Sequence, residues 1–255
     1  MSESQTAIEF RGVSYTLPEG KTLLANLNLR VQAGETLVLL GRSGSGKTTT
    51  MKLINRLIDP TAGEIRVEGK STRDWDPIRL RRRVGYVIQE IGLFPHWTVE
   101  ENIGVVPRLE GWAPERIRER ARALLKLVGL DVERFAARYP RELSGGQRQR
   151  VGVARALAAD PPVILLDEPF GALDPITRRE IQREFKSLQR ELGKTMVFVT
   201  HDIAEAFFLG TRIALLKDGE MVLVGAPEEL LRSQHPEARA FADCFNNSQT
   251  AGSPA

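Results

Sequence analysis

The chain has 255 residues, 42% of them hydrophobic, with 36 Lys and Arg against 33 Asp and Glu. That apolar share excludes disorder for most of the chain, and a scattered excess of +3 is no footprint for nucleic acid. The longest apolar runs, Leu37–Leu40 and Val163–Leu166, are far short of the roughly 18 residues a membrane span needs, and the single cysteine, Cys244, excludes an internal disulfide and fits a reducing compartment.

The opening MSESQTAIEF has neither a basic start nor an apolar stretch, so it is not read as a secretory signal. Alternating patterns at Ile8–Phe10, Val13–Tyr15 and Leu27–Val31 predict strands with Gly-rich turns between them. Thr36–Leu40 reads as a buried strand, followed by a Gly-rich loop and a helix over Lys47–Leu57. Short strands are expected at Gly63–Glu68 and Val84–Ile88. The basic run Arg79–Arg83 between them reads as a solvated helix end.

From about Thr98 to Asp160 the pattern turns helical. Ile117, Ala121, Leu124, Leu125 and Val128 form one apolar face, stopped by Gly129, and a second helix over Gln149–Ala158 is stopped by Pro161-Pro162. Strands return at Val163–Leu166, Met196–Val199 and Ile213–Leu216, with a helix over Pro175–Leu192. This alternation predicts an α/β fold with a mostly parallel sheet, an N-terminal antiparallel portion and an inserted helical part.

Gly41-Arg42-Ser43-Gly44-Ser45-Gly46-Lys47-Thr48 matches the phosphate-loop pattern and lies between a predicted strand and a predicted helix. Its glycines let the backbone wrap so that successive N–H groups face phosphate oxygens, and the helix N-terminus adds partial positive charge. Lys47 can reach the β- and γ-phosphates and the Thr48 hydroxyl can ligate Mg²⁺. Val163–Leu166 ends in Asp167-Glu168, where an Asp can hold the Mg²⁺ shell and Glu168 is placed to deprotonate an attacking water. Leu143-Ser144-Gly145-Gly146-Gln147 offers a second anion site by the same physics. One nucleotide does not need two such sites in one chain, but two chains arranged head to tail can use both on each ATP.

With these motifs in this order the sequence resembles an ATP-binding cassette (ABC) ATPase, the energising subunit of an ABC transporter. The resemblance covers residues 6–230 as a single P-loop NTPase cassette, with a helical subdomain over about 90–160. It implies Tyr15 as the aromatic that stacks on adenine, and Gly41 to Thr48 with Thr49 as the phosphate contacts. Gln89 is implied as a sensor of Mg²⁺ and the attacking water, and Ser144, Gly145, Gly146 and Gln147 as the loop presented to a partner's ATP. It further implies Ala172-Leu173-Asp174 as the segment crossing the dimer interface, and His201 as the switch histidine at the γ-phosphate. Gly171 departs from the Ser found in many relatives. Alone, Tyr15 also reads as core and His201 as a surface histidine.

The implied chemistry is ATP hydrolysis with Mg²⁺. Glu168, His201, Lys47 and Gln89 are the catalytic group, and Thr48, Gln89 and Asp167 are near the metal. Gln89–Val99, Glu101-Asn102-Ile103 and Val151–Leu157 look like importers of quaternary amine osmoprotectants such as glycine betaine, choline and carnitine. This implies a second copy of the chain, a transmembrane permease and, indirectly, a substrate-binding protein as partners, with no nucleic acid. The location implied is the cytoplasmic face of a bacterial plasma membrane. An importer of another small solute and a soluble non-transport ABC ATPase are the alternatives. Leu93–Trp97 reads either as an interface anchor on the permease or as a local mini-core. Longer members of that group add a pair of cystathionine-β-synthase-type domains; here residues 231–255 are expected to form a short helix and a disordered tail, without them.

Overall fold

The computed structural model describes residues 5–89, 92–171 and 173–250, with side chains as far as residue 246. Residues 90–91, Ala172 of the expected interface segment and the end of the tail lie outside the described residues.

Strand β1 (Thr6–Thr16) merges the two short strands expected there into one. Gly12, at φ 58, makes the bulge that lets the strand continue, with a register shift against β2 (Thr22–Gln32) between Phe10 and Val13. Next come β3 (Thr36–Leu40), as expected, and α1 (Lys47–Ile54), which stops short of Leu57 because Arg56 turns left-handed at φ 52. They are followed by β4 (Ala62–Val67), β5 (Lys70–Ser71), α2 (Pro77–Arg83) and β6 (Val84–Val87). The basic run ends α2, where cations complement the helix dipole.

The helical stretch holds α3 (Val99–Ile103), α4 (Val105–Leu109), α5 (Pro114–Leu127), α6 (Val132–Phe135) and α7 (Gly145–Leu157). The chain continues through β7 (Val163–Asp167), α8 (Pro175–Leu192), β8 (Thr195–Thr200), α9 (Ile203–Leu209), β9 (Arg212–Lys217) and β10 (Glu220–Gly225). It closes with α10 (Pro227–Arg232) and α11 (Pro236–Thr250). The last helix continues through residues 246–250, where a disordered tail was expected, so that part of the expectation is corrected. Strand β10 and helix α9 were not foreseen. Among the described residues no helix is long and apolar enough to cross a membrane.

The chain divides into two compact units, residues 1–80 with 195–255 and residues 81–194. The second is wider than the helical stretch expected over 90–160, since β6, β7 and α8 cluster with it. In the first unit, β2, β1, β4 and β5 form an antiparallel sheet, and β3 lies between parallel neighbours β8 and β9, with β10 antiparallel to β9. Every residue of β3 and β8 is buried, which explains the apolar runs Leu37–Leu40 and Met196–Val199 within them. In the second unit β6 and β7 pair in parallel, and α7 packs with α3, α5 and β6.

Candidate functional site

In a parallel sheet, ligand-binding loops gather beyond the carboxyl ends of the strands. In the first unit Leu40 is in register with Thr200 and with Leu215, so the loop that starts at Gly41 and the residue after Thr200, His201, emerge from the same sheet edge. The loop's conformation is set by glycine. Gly44 has φ 79 and Gly46 φ 104, and Gly46 caps α1 without a side-chain hydrogen bond. A Cβ at Gly41 would stand 2.4 Å from the Leu216 carbonyl oxygen. The Lys47 ammonium is buried and donates to the carbonyls of Gly41 and Arg42, both at 2.8 Å. Ser45 is buried, and its hydroxyl has no hydrogen-bond partner among the described residues. Arg42, Ser43 and Gly44 are exposed on the loop's outer side, while Thr48 and Thr49 in the first turn of α1 are half-buried.

Tyr15 is half-buried in β1 and faces Leu24 across the strands. Leu24 is also the side chain that a Cβ at Gly46 would strike, so Tyr15 stands one residue pair from the helix entrance. His201 is exposed, between β8 and α9. Two residues not singled out in the sequence fix its backbone. The Thr200 hydroxyl donates to buried Glu205 at 2.6 Å and accepts from the Asp202 N–H at 2.9 Å, while Asp202 caps α9. The available signal was the Asp202-x-x-Glu205 spacing at a helix start.

In the second unit Val87 is in register with Leu166, so Gln89 and Glu168 leave adjacent parallel strands at the same end. The Gln89 amide reaches the Glu168 carboxylate at 3.5 Å, the edge of hydrogen-bond range. Glu168 itself has φ 44, an unusual conformation for a non-glycine, held by a turn in which the Gly171 N–H donates to the Glu168 carbonyl. Asp167 is buried and accepts from the Tyr86 hydroxyl at 3.3 Å. Burial first, and the Asp167 charge second, push the Tyr86 phenol above its ordinary range, so it stays a protonated donor. No local pattern marked Tyr86's part, because a tyrosine in a strand looks like core.

The Ser144 segment differs from its expected form. Helix α7 begins at Gly145 rather than near Gln149, because Ser144 and Gln147 make a reciprocal capping box. The Ser144 hydroxyl accepts from the Gln147 N–H, and the Gln147 side chain accepts from the Ser144 N–H at 2.9 Å. Both glycines therefore lie in the helix's first turn, where N–H groups lack intrahelical acceptors. Gly146 lets α7 lie close to α8: a Cβ there would stand 2.9 Å from Ile181 Cδ1 and 3.0 Å from Thr177 Cγ2, so those side-chain ends would have to shift. Asp174 accepts from the N–H groups of Ile176 and Thr177 as the cap of α8, and hydrogen bonds from Thr177 hold its carboxyl below the usual range.

The stretch after Gln89 packs on itself and stays partly exposed. Phe94 and Trp97 pack with ring centroids 4.6 Å apart, yet Phe94 remains 40% exposed. Fully buried Asn102 ties the loop down, donating to the carbonyls of Phe94, Trp97 and Thr98 and accepting from the Phe94 N–H at 2.7 Å. Asn102→Ala would orphan those groups. It is expected to cost about 2–3 kcal/mol, seen as a lower melting temperature; an unchanged melt would show the loop holds itself.

Residues 24–171 match the family model described as ABC transporter. The chain is similar to the choline transport ATP-binding protein OpuBA of Bacillus subtilis, 56% identical over 230 residues, covering 90% of this chain and 60% of the relative. It is similar also to the glycine betaine/carnitine/choline transport ATP-binding protein OpuCA of the same organism, 56% identical over 226 residues, covering 89% and 59%. The chain thus spans about 60% of the length of these curated relatives. Among solved structures it is similar to an ATP-binding cassette described as dimeric, in a post-hydrolysis state, bound to ADP and Pi. The TM-score is 0.77 at 41% identity, covering 86% of this chain and 98% of that one.

Proposed function

The chain belongs to the ABC transporter family, and from that premise we propose that it is the ATP-hydrolysing subunit of an importer for quaternary amine osmoprotectants, such as glycine betaine, choline or carnitine. The observation that carries the ATPase reading is the pair of glycine-rich helix starts, Gly41–Thr48 before α1 and Ser144–Gln147 at α7. The names of relatives at 56% identity support the choice of solute.

In this reading the Gly41–Thr49 segment wraps the phosphates of one ATP, and Tyr15 stacks on its adenine. Lys47 exchanges its loop carbonyls for phosphate oxygens, a swap that keeps a buried cation hydrogen-bonded throughout. Ser144 and the first-turn N–H groups of α7 face the ATP of a second copy, related head to tail. Glu168 takes the proton of the attacking water, oriented with the help of Gln89, while His201 and Lys47 stabilise charge on the transferring phosphoryl group.

The donor set suits Mg²⁺. Asp167, buried and aimed by Tyr86, and the Thr48 hydroxyl are hard oxygen donors, few enough to leave places for phosphate and water. Thr48, Gln89 and Asp167 would hold the ion, which when bound neutralises phosphate charge. Asp174, the last residue of the expected dimer-crossing segment, caps α8. The protein would work as a peripheral subunit on the cytoplasmic face of a bacterial plasma membrane, with a separate permease and, indirectly, a substrate-binding protein.

Uptake of labelled glycine betaine, choline and an unrelated solute, in cells with and without this gene, tests the reading. Loss confined to quaternary amines supports it; loss of only the unrelated solute sinks it. Placing an acid in the half-exposed aromatic loop, as Phe94→Asp or Trp97→Asp, is expected to abolish uptake and leave ATP binding by the isolated chain within twofold. An equal loss of binding would make the loop a local core instead.

A further inference from the structure

The phosphate loop is tied to a helix that follows it by nearly the whole chain. The second loop residue, Arg42, donates from its Nε to Glu237 Oε1 at 2.6 Å. The two partners are unlike. The Arg42 side chain is 69% exposed, whereas that of Glu237 is 7% exposed. Glu237 lies in the first turn of α11, where a carboxylate is also favoured by the helix dipole. Lys217 approaches its other oxygen at 3.7 Å. The Arg42 hydrogen bond, outweighing burial, holds the Glu237 carboxyl below the usual range.

Helix α11 is a firm support for this contact. It packs on α9, α10 and β10, burying Ala238 and Ala242, and Phe245 stacks on Phe207 with ring centroids 4.5 Å apart. On the other side, the Arg42 backbone is a junction of the loop. Its carbonyl accepts from Lys47 Nζ at 2.8 Å and from the Ser45 N–H at 3.2 Å. Fixing the Arg42 side chain therefore restrains the peptide that both Lys47 and the Ser45 turn use. Between loop and helix lies a polar cleft of about 370 Å³, lined by Arg42, Ser43, Ser45, Lys217, Asp218 and Glu237, which leaves the loop free to shift if the tie is cut.

We propose that Glu237 is a positioning residue for nucleotide binding: through Arg42 it holds the phosphate loop in its receptive shape, so that affinity for ATP depends on α11 being docked. This rests on the reading that the Gly41–Thr48 loop takes ATP. The effect belongs in binding rather than in chemistry, because Glu237 touches the loop's outer side and none of the groups assigned to the reacting phosphate.

The test is titration of the full chain with a fluorescent ATP analogue, together with melting temperatures and steady-state ATPase. Glu237→Gln removes the charge at constant shape, and Arg42→Ala removes the exposed partner of the pair, the melting temperature showing what that costs the fold. Each is expected to weaken binding about five- to tenfold. The double variant should be no worse than either single one, since both cut the same tie. KM for ATP should rise with kcat unchanged, and Arg66→Ala, at an ion pair elsewhere in the same unit, should bind as wild type. Wild-type affinity in Glu237→Gln overturns the proposal. So does a loss in Arg42→Ala alone, which would mean that Arg42 meets phosphate directly. A wild-type chain that binds no nucleotide overturns the ATP reading and this inference with it, whereas binding equal in wild type and Glu237→Gln overturns only the inference.

Discussion

Glu168→Gln is expected to lower ATP turnover about a thousandfold while nucleotide affinity stays within a few-fold of wild type. The substitution is close to isosteric. The amide oxygen can still accept from Gln89, now at 3.5 Å, and the turn through the Gly171 N–H uses only backbone. What disappears is the carboxylate's capacity to take a proton from water. Glu168 is held at φ 44 at the end of a fully buried strand, a conformation that costs on the order of 1–3 kcal/mol and that aims the side chain independently of its charge. Geometry and chemistry are thus separable at this position. Steady-state phosphate release measured beside analogue binding decides the matter: equal turnover in the two proteins would remove Glu168 from the role of base.

Gly46→Ala is expected to destabilise the first unit by about 2–4 kcal/mol and to abolish ATP binding in the same stroke. Gly46 has φ 104, which L-residues rarely adopt. A Cβ there would stand 2.4 Å from Leu24 Cδ2 and 3.1 Å from the Leu23 carbonyl oxygen. Leu24 is fully buried, so it has little room to retreat. Because Gly46 also caps α1, the strain falls on the N–H groups meant for phosphate. Thermal melts and analogue titration would reveal both losses. A variant with native melting temperature and native binding would show that the loop is not held as rigidly as its contacts indicate.

Strands β3 and β7 and helix α8 could be read almost to the residue, because a fully buried parallel strand is an unbroken apolar run and Asp174-Pro175 is a strong helix start. Elsewhere local pattern misled. Two short alternating patterns separated by Gly12 look like two strands, and only pairing with β2 and β4 across a bulge makes them one. The glycines of Ser144–Gln147 look like a loop, yet the capping box draws them into α7, where Gly146 lies close against Ile181 and Thr177 of α8. Strand β10 has half-exposed residues over most of its length and depends on β9 for its hydrogen bonds, so its own pattern is weak.

The candidate site divides along the same line. The Gly41–Thr49 loop, Asp167 and Glu168 were marked as candidates for phosphate, metal and water because that chemistry demands particular residue types at short spacings, whereas Gln89 and His201 were implied only by the family resemblance. The residues that hold the site, Tyr86 on Asp167, Thr200 and Glu205 beside His201, Asn102 under the aromatic loop and Glu237 on Arg42, were not legible. Their partners lie as much as 195 residues away, as for Arg42 and Glu237. The Tyr86–Asp167 and Arg42–Glu237 contacts are specified by where two distant chain segments meet in space, and no local spacing carries that information; the Thr200–Glu205 and Asn102 bonds are local, and there only the helix-start spacing before Glu205 was a signal. The family was therefore set by the order of short motifs, while the restraint of each candidate side chain arose only when the strands and helices packed.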